Sequence, residues 1–338
     1  MHAIGYKTPL PIDDDNSLVD IDLPRPAPSG RDLLVEIKAI SVNPADVKVR
    51  GSARPEGGNW RVLGWDAAGV VVETGSAATL FKPGDAVFYA GSMTRPGAYA
   101  EFQAVDERIV GRKPKTLGWA EAAALPLTAI TAWEALFDRL DIAGRQVPGA
   151  VPAVLIIGGA GGVGSIAIQL ARKLTGLTVI ATASRPETKA WVTDLGAHHV
   201  VDHSRPLAAQ IAALGIGAPG FVFSTTNTHQ HLLEIVELIA PQGRLALIDD
   251  PAVLDINPFK RKSVSVHWEL MFTRSMFETA DMAEQGVLLN EVSRLVDDGT
   301  IRTTLAENFG TINAANLKRA HRLIESGKAM GKIALEGF

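Results

Sequence analysis

The hydrophobic positions follow two different patterns in two parts of the chain. From residue 1 to about residue 124, short runs rich in β-branched residues lie between turn signals, as at residues 33–40, 69–73 and 86–89. A Pro83-Gly84 turn precedes the last of these runs. This part of the sequence therefore predicts an all-β, barrel-like domain.

From residue 151 the pattern changes to strands that alternate with amphipathic helices. The predicted strands are short apolar runs and cover residues 154–158, 178–184, 199–203, 221–225 and 245–249. The predicted helices have apolar residues at three- and four-residue intervals and cover residues 163–174, 186–195, 207–214 and 232–240. This alternation specifies an α/β fold, a doubly wound parallel sheet that binds its ligand at the carboxyl ends of the strands.

The remaining segments suggest how the domains are divided. Residues 264–268 read as one more strand, at the sheet edge, and the last strand, residues 332–336, is expected to return to the β-rich domain. We therefore expect a β-rich domain over residues 1–124, a dinucleotide-binding domain over 125–270 and a returning part over 271–338. The edge strand can pair with a second subunit to give a homodimer, although a covered edge within one chain is an equal interpretation.

A glycine-rich loop joins residues 154–158 to the helix that follows. Its motif is Gly159-x-Gly161-x-x-Gly164, in which the first glycine permits a tight turn, the second lets a pyrophosphate approach the backbone, and the third allows close helix–strand contact. The other loop residues expected at the phosphates are Ala160, Gly162 and Val163. An ordinary strand-to-helix turn is the alternative, but the buried strand before and the amphipathic helix after favour dinucleotide binding.

The end of the second strand indicates which dinucleotide binds. An NAD site usually has an acidic residue about 20 residues after the last glycine, where this chain has Ser184 and Arg185. Arg185 can pair with a 2′-phosphate, and Lys189 adds a second positive charge. We therefore expect NADP rather than NAD, although a solvated loop and helix start would use the same residues. Other residues expected in the cofactor crevice are His203, Ser224, Thr225 and Ile248.

Composition limits the partners of this protein. The 338 residues are 46% hydrophobic, carry a formal net charge of −4 and include no cysteine, so disulfides and thiolate metal sites are excluded. The charge balance gives no reason to expect nucleic acid or an anionic membrane as a partner. Neither a signal peptide nor a membrane-spanning segment is evident at the sequence level. We expect a cytoplasmic protein that acts on a small-molecule substrate.

Several motifs together resemble the medium-chain dehydrogenase/reductase superfamily. The likeness is greatest to its quinone oxidoreductase (zeta-crystallin-like) branch and to relatives labelled zinc-type alcohol dehydrogenase-like proteins. It covers nearly the whole chain and rests on residues 41–50, 64–71, 82–87, 122–128, 158–164 and 331–335. The resemblance implies a GroES-like barrel domain beside a Rossmann domain.

The chain departs from the zinc-dependent members of that superfamily. By the resemblance, those enzymes hold catalytic zinc with a cysteine near the position of Asn43, with a Gly-His-Glu where this chain has Gly64-Trp65-Asp66, and with a further cysteine. An indole cannot ligate zinc. The histidines at 198, 199 and 203 and at 229 and 231 lie in the predicted dinucleotide-binding part. We therefore expect no zinc site.

The resemblance and the lack of zinc ligands together imply a reaction. We expect hydride transfer from NADPH to a quinone or an α,β-unsaturated carbonyl, since conjugation spreads the developing charge onto oxygen. By the resemblance, Asn43 lies near the nicotinamide and substrate, and Thr131 contacts the nicotinamide. An Asx turn into Pro44 and a back-bond within a helix are the structural alternatives for these two residues. A metal-using alcohol or carbonyl dehydrogenase and a non-catalytic NADPH-binding protein remain the alternative functions.

Overall fold

The computed structural model describes all residues Met1–Phe338 and divides them into two compact units. Unit 1 comprises Met1–Ile130 and Phe272–Phe338, and unit 2 comprises Thr131–Met271. The sequence pattern placed these boundaries after residues 124 and 270. In the structure the first boundary falls after Ile130, inside the helix Pro126–Trp133.

Sixteen strands and ten α-helices form these units. The strands are β1 (His2–Tyr6), β2 (Val19–Asp22), β3 (Asp32–Val42), β4 (Arg61–Val62), β5 (Ala67–Thr74), β6 (Ala86–Tyr89), β7 (Phe102–Asp106), β8 (Gly111–Arg112), β9 (Val151–Ile157), β10 (Thr178–Thr182), β11 (His199–Val201), β12 (Pro219–Ser224), β13 (Arg244–Leu247), β14 (Ser265–Trp268), β15 (Leu305–Asn308) and β16 (Lys332–Glu336). The α-helices are α1 (Pro44–Ser52), α2 (Trp119–Ala123), α3 (Pro126–Trp133), α4 (Gly162–Leu174), α5 (Pro186–Asp194), α6 (Leu207–Ala213), α7 (Thr228–Leu238), α8 (Thr273–Phe277), α9 (Glu284–Asp297) and α10 (Ala314–Glu325). Short 3₁₀-helices lie at Glu56–Gly58, Glu107–Ile109 and Asn257–Lys262, and Glu134–Arg139 is a π-helix.

Unit 1 is built on two sheets. The larger has the order β15-β16-β3-β5-β6-β8, with β7 also paired to β3, and the smaller has the order β2-β1-β4. Strand β3 lies in the middle of the larger sheet, and nine of its eleven residues are buried, so that both of its faces pack in the core. The last strand, β16, runs antiparallel to β3 with Leu335 opposite Ile40. This pairing confirms the prediction that the final strand returns to the β-rich part.

Unit 2 contains a six-stranded sheet whose order is β11-β10-β9-β12-β13-β14, with every neighbouring pair parallel. Its core is formed by branched apolar residues of the strands, such as Leu155 and Val222, packed against helix residues such as Ile235. The doubly wound parallel sheet predicted from the alternating pattern is confirmed. Strand β14 lies at the sheet edge, also as predicted.

Element ends differ from prediction where local side chains decide them. Strand β11 stops at Val201, so Asp202 and His203 lie in the turn beyond it rather than in the strand. Helix α7 begins at Thr228 rather than at residue 232, because the Asp249 carboxylate accepts a hydrogen bond from the Thr228 N–H at 2.8 Å. No helix is both long enough and apolar enough to span a bilayer.

Candidate functional site

The glycine-rich loop lies directly beyond the carboxyl end of β9, the central strand of unit 2. The N–H groups of Gly158 and Gly159 both donate to Thr182 at the end of β10, at 3.0 and 3.2 Å. Gly158 has a φ of +80°, which L side chains rarely adopt. The left-handed turn therefore falls at Gly158 and not at Gly159, which corrects the role given to the first glycine of the motif.

The three motif glycines differ in how much room they leave. A Cβ on Gly159 would lie 3.0 Å from the Ala181 Cβ, and one on Gly164 would lie 2.3 Å from the Gly158 carbonyl oxygen. Packing inside the protein thus requires glycine at 164 and strongly favours it at 159. At Gly161 a Cβ would meet only the Gly158 oxygen, at an ordinary 3.5 Å. Protein packing does not explain that glycine, whereas close approach of a phosphate does.

The remaining loop residues begin helix α4. Ala160, Gly162 and Val163 are half-buried and therefore open to solvent on one side. Gly161 caps the helix without a side chain, and its carbonyl accepts the Ser165 N–H at 2.9 Å. The N–H groups of the first helical turn have no partner within a helix, so this loop is suited to bind an anion.

Ser184, Arg185 and Lys189 lie where β10 ends and α5 begins. Arg185 is the N-cap of α5, and its side chain lies 3.2 Å from the Glu187 carboxylate. The Lys189 ammonium lies 3.3 Å from Asp202, in the turn after β11. All three are half-buried, so two cationic side chains stand at the strand end where the sequence predicts the 2′-phosphate.

His203 follows Asp202 in that same turn. The ring is half-buried and its Nδ1 is enclosed without a hydrogen-bond partner. Burial lowers the pKa of the imidazole, and the positive charges of Arg185 and Lys189 lower it further. The carboxylate of Asp202 acts in the opposite direction.

The last three predicted cofactor residues lie at the ends of β12 and β13. Ser224 is fully buried and its hydroxyl pairs with that of Thr228 at 2.8 Å. The Thr225 hydroxyl donates to the Ile157 carbonyl at 2.8 Å, and the Ile248 N–H donates to the Ser224 carbonyl at 3.3 Å. Thr225 and Ile248 are half-buried. Every cofactor residue predicted from the sequence therefore lies at or just beyond the carboxyl end of a strand of the same sheet, or in the helix that follows it.

Asn43, the predicted catalytic residue of unit 1, is fully buried in a polar cluster with Asp66 and Lys332. Its amide donates to the Asp66 carboxylate at 2.8 Å and to the Trp65 carbonyl at 3.5 Å, and its oxygen accepts from the Lys332 ammonium. Lys332 also contacts Asp66 at 3.0 Å. The Asn43 side chain is thus committed on both its donor and its acceptor side.

Asp46 lies beside this cluster and fixes two backbone segments. Its carboxylate accepts the N–H of Asn43 at 2.7 Å and of Gly64 at 3.1 Å. Burial raises the pKa of Asp46 to about 7, against the opposing effect of the hydrogen bond from Asn43. Arg50, one helical turn after Asp46, pairs with the Glu325 carboxylate.

Thr131 is the sixth residue of α3 and is buried, at 5% exposure. Its predicted contact with the nicotinamide stays a prediction. The helix N-terminus is held in unit 1, where the Leu127 N–H donates to the Asp66 carboxylate at 2.7 Å.

The residues at the positions of the family's zinc ligands do not fit a zinc ion. Trp65 is buried and its indole N–H donates to the Ser92 carbonyl at 3.3 Å. Asp66 is already bonded to the Lys332 ammonium and to the Asn43 amide. No group of three or more His, Cys, Asp or Glu side chains is placed to hold a metal ion, and zinc needs about three such ligands.

Sequence reasoning missed two functional candidates. Lys332 precedes three apolar residues of its strand, and a lysine beside such a run is a signal for a buried pair. His231, in the first turn of α7, has its pKa lowered by burial and also by His203, although 28 residues separate the two histidines. The interaction between His231 and His203 becomes evident only in the folded structure, where α7 is packed.

The fold and the glycine loop are those of a nicotinamide-dependent dehydrogenase. Residues 162–285 match the zinc-binding dehydrogenase family and residues 29–115 match the alcohol dehydrogenase GroES-like domain. The chain belongs to the medium-chain dehydrogenase/reductase superfamily, and the predicted pairing of a Rossmann domain with a GroES-like domain is confirmed.

Individual proteins resemble this chain over nearly its whole length. The chain is 39% identical to a zinc-type alcohol dehydrogenase-like protein of Staphylococcus aureus strain MSSA476, over 99% of each chain. It is 68% identical to a solved protein of Rhizobium etli CFN 42 that carries a zinc-dependent alcohol dehydrogenase description, with a TM-score of 0.98 over 100% of this chain and 98% of that one. The fold is also that of the Escherichia coli quinone oxidoreductase complexed with NADPH, at 22% identity and a TM-score of 0.82, over 99% and 100% of the two chains.

Proposed function

We propose that this oxidoreductase is independent of zinc, uses NADPH, and reduces a quinone or an α,β-unsaturated carbonyl. The observation that carries the proposal is the buried cluster of Asn43, Asp66 and Lys332, in which an ammonium and amide hydrogens occupy the carboxylate that a metal would need. A zinc-type relationship then describes the ancestry of the chain and not its chemistry.

The choice of NADPH rests on the end of β10. When bound, the reduced nicotinamide supplies the hydride. The backbone of residues 159–164 would hold the pyrophosphate, and Arg185 and Lys189 would pair with the 2′-phosphate. The position after β10 where an NAD site has an acidic residue for the ribose 2′-hydroxyl is occupied by Ser184. The NADPH complex of the Escherichia coli relative is consistent with this choice.

The acceptor class follows from the donor groups of the chain. A simple alcohol or aldehyde needs a strong electrophile at its oxygen, which the zinc-dependent enzymes obtain from the metal. A quinone or an enone is already electrophilic and needs only orientation and hydrogen bonds to the oxygen that gains charge. This chain therefore suits a conjugated acceptor.

The two predicted catalytic residues take different roles in this proposal. Thr131 contacts the nicotinamide and orients it, as the resemblance implies. Asn43 acts as a positioning residue, because its amide hydrogens are donated to the Asp66 carboxylate and the Trp65 carbonyl and its oxygen accepts from Lys332. Solvent delivers the proton that follows the hydride.

We also propose that the protein is a cytoplasmic homodimer joined at β14. That strand has a neighbour on one side only, and Trp268 at its end is 55% exposed. An uncovered edge with an exposed aromatic side chain favours pairing with a second copy of the same strand.

The decisive experiment measures NADPH oxidation with a panel of quinones, enones and simple aldehydes, together with the metal content of the same preparation. We expect turnover of the conjugated acceptors, substoichiometric zinc and no loss of activity after treatment with a chelator. Stoichiometric zinc with activity abolished by the chelator would establish the metal-dependent alcohol dehydrogenase instead. Tight cofactor binding without turnover of any acceptor would favour a non-catalytic NADPH-binding protein.

A further inference from the structure

Two neighbouring strand ends of unit 2 bring cationic side chains to one place. Strands β10 and β11 are parallel neighbours with Thr182 opposite Val201, and the Ala183 N–H donates to the Val201 carbonyl at 2.9 Å. Arg185 after β10 and His203 after β11 therefore leave the sheet side by side. Lys189 reaches the same turn through Asp202.

A second histidine reaches this place from another element. His231 is half-buried on the first turn of α7 and interacts electrostatically with His203. The ring of His203 is half-buried, and its enclosed Nδ1 has no hydrogen-bond partner in the folded chain. The other charged groups that act on these two rings are Arg185, Lys189, Asp202, His229, Glu234 and Asp249.

The three carboxylates in that set are already committed to other groups. They accept hydrogen bonds from Ser204 and Lys189 (Asp202), from the Ala208 N–H (Glu234), and from the Thr228 N–H and hydroxyl (Asp249). Neither imidazole has a carboxylate of its own to stabilise a proton. An anion bound from outside the chain would supply the partner that the folded chain does not.

We propose that His203, with His231 beside it, forms a proton-linked part of the 2′-phosphate subsite, so that NADPH binds with uptake of a proton and NADH does not. This inference rests on the proposed NADPH dependence. It goes beyond that proposal because it makes the preference for NADPH a function of pH.

The sign of the linkage follows from the free and bound states. Burial lowers the pKa of both imidazoles in the free protein, so near neutral pH they are uncharged. A phosphate dianion against them raises their pKa, and the ring then takes up a proton on binding. Up to one proton taken up makes NADPH affinity fall by as much as about tenfold per pH unit as the pH rises. Arginine and lysine alone would give the opposite sign, since they favour the dianion of a phosphate whose second pKa is about 6 and so cause proton release.

The test is isothermal titration calorimetry of the full-length protein at about pH 7, in two phosphate-free buffers with different ionisation enthalpies. We expect proton uptake with NADPH and none with NADH. His203→Asn keeps a hydrogen-bonding side chain that cannot titrate, and we expect it to lose the uptake. His199→Asn, on β11 and also half-buried, is the matched control and should retain it. His231→Asn measures how much of the proton uptake depends on the His231 ring.

The outcomes separate this inference from the proposed function. If wild-type protein prefers NADPH but binds it with no proton uptake or with release, the histidine linkage is wrong and the cofactor assignment stands. If NADPH binds no more tightly than NADH at any pH, the cofactor assignment itself fails. Uptake that persists in both His203→Asn and His231→Asn would also overturn the inference. NADH affinity, measured on each variant, reports whether the dinucleotide fold is intact.

Discussion

Replacing Lys332 by methionine tests whether the buried cluster of unit 1 depends on its ammonium. Methionine nearly matches lysine in length but carries no charge and no donor. In the wild type the ammonium contacts the Asp66 carboxylate at 3.0 Å and the Val42 carbonyl at 3.1 Å, and it also donates to the Asn43 oxygen. The substitution leaves Asp66 as a buried carboxylate without a counter-ion.

The size of the expected loss of stability follows from the burial of both charged side chains, Lys332 and Asp66. The side chains of Lys332 and Asp66 are only 3% and 0% exposed, so water cannot replace the lost partner. Breaking a pair buried to this degree costs about 3–5 kcal/mol of the free energy of unfolding. That is a large part of the roughly 5–15 kcal/mol that stabilises a typical domain.

The cost should depend on pH in a defined direction. Burial already raises the pKa of Asp66, and Lys332 is the main influence that lowers it. Without Lys332 the pKa of this carboxyl in the folded state rises further above its unfolded value near 4. Protonation of Asp66 in the folded variant therefore reduces the stability cost of the substitution at low pH. This reduction becomes smaller as the pH rises toward the folded-state pKa of Asp66. We therefore expect a clearly larger cost at pH 8 than at pH 5.

Equilibrium unfolding in guanidinium chloride, followed by tryptophan fluorescence, measures these costs at both pH values. The double variant Lys332→Met/Asp66→Asn should recover much of the lost stability, since the Asn43 amide can turn to accept from the new amide. Lys82→Met, at an exposed lysine, is the control and should change stability by no more than about 0.5 kcal/mol. A cost for Lys332→Met below about 1 kcal/mol at pH 8, or one that is equal at the two pH values, would refute the reasoning.

Three further predictions concern the cofactor and the assembly. Arg185→Ala should raise the KM for NADPH by about tenfold and leave the KM for NADH nearly unchanged, because a charge-assisted phosphate contact is worth about 1.5–3 kcal/mol; equal changes in steady-state KM for the two cofactors would contradict the 2′-phosphate assignment. Gly161→Val should abolish cofactor binding with little change in thermal stability, whereas Gly164→Ala should lower the melting temperature, because its Cβ would lie 2.3 Å from the Gly158 oxygen; normal NADPH titration of the Gly161 variant would remove the loop from the site. Trp268→Glu should convert a dimer into a monomer in sedimentation velocity, and an unchanged sedimentation coefficient would show that β14 is not the interface.

Most of unit 2 could be predicted from the sequence because its signals are local. A run such as residues 154–157 is apolar on both faces, and the glycines after it mark the strand end without reference to any other part of the chain. The strand ends then identified where Arg185 and His203 would lie. The turn glycine was assigned to position 159 instead of Gly158 because the motif spacing does not show which backbone has a positive φ.

The polar cluster of unit 1 could not be predicted, since its members meet only in three dimensions. Lys332 and Asp66 are 266 positions apart in the chain. Composition places lysine at the surface by default, and neither residue has a sequence neighbour that reveals its partner. The same limit applies to Asn43, whose predicted role came from resemblance and whose contacts came from the fold.

The placement of β16 between β15 and β3 also has a consequence for biosynthesis. On the ribosome, the whole of residues 131–271 emerges before the strand that completes the larger sheet of unit 1. Until then, residues 39–42 of β3 lack their partner strand and the Asp66 carboxylate lacks its cation. The nascent N-terminal segment therefore exposes unpaired strand backbone and an uncompensated carboxylate until β16 has been synthesised, and such exposed strand edges promote aggregation.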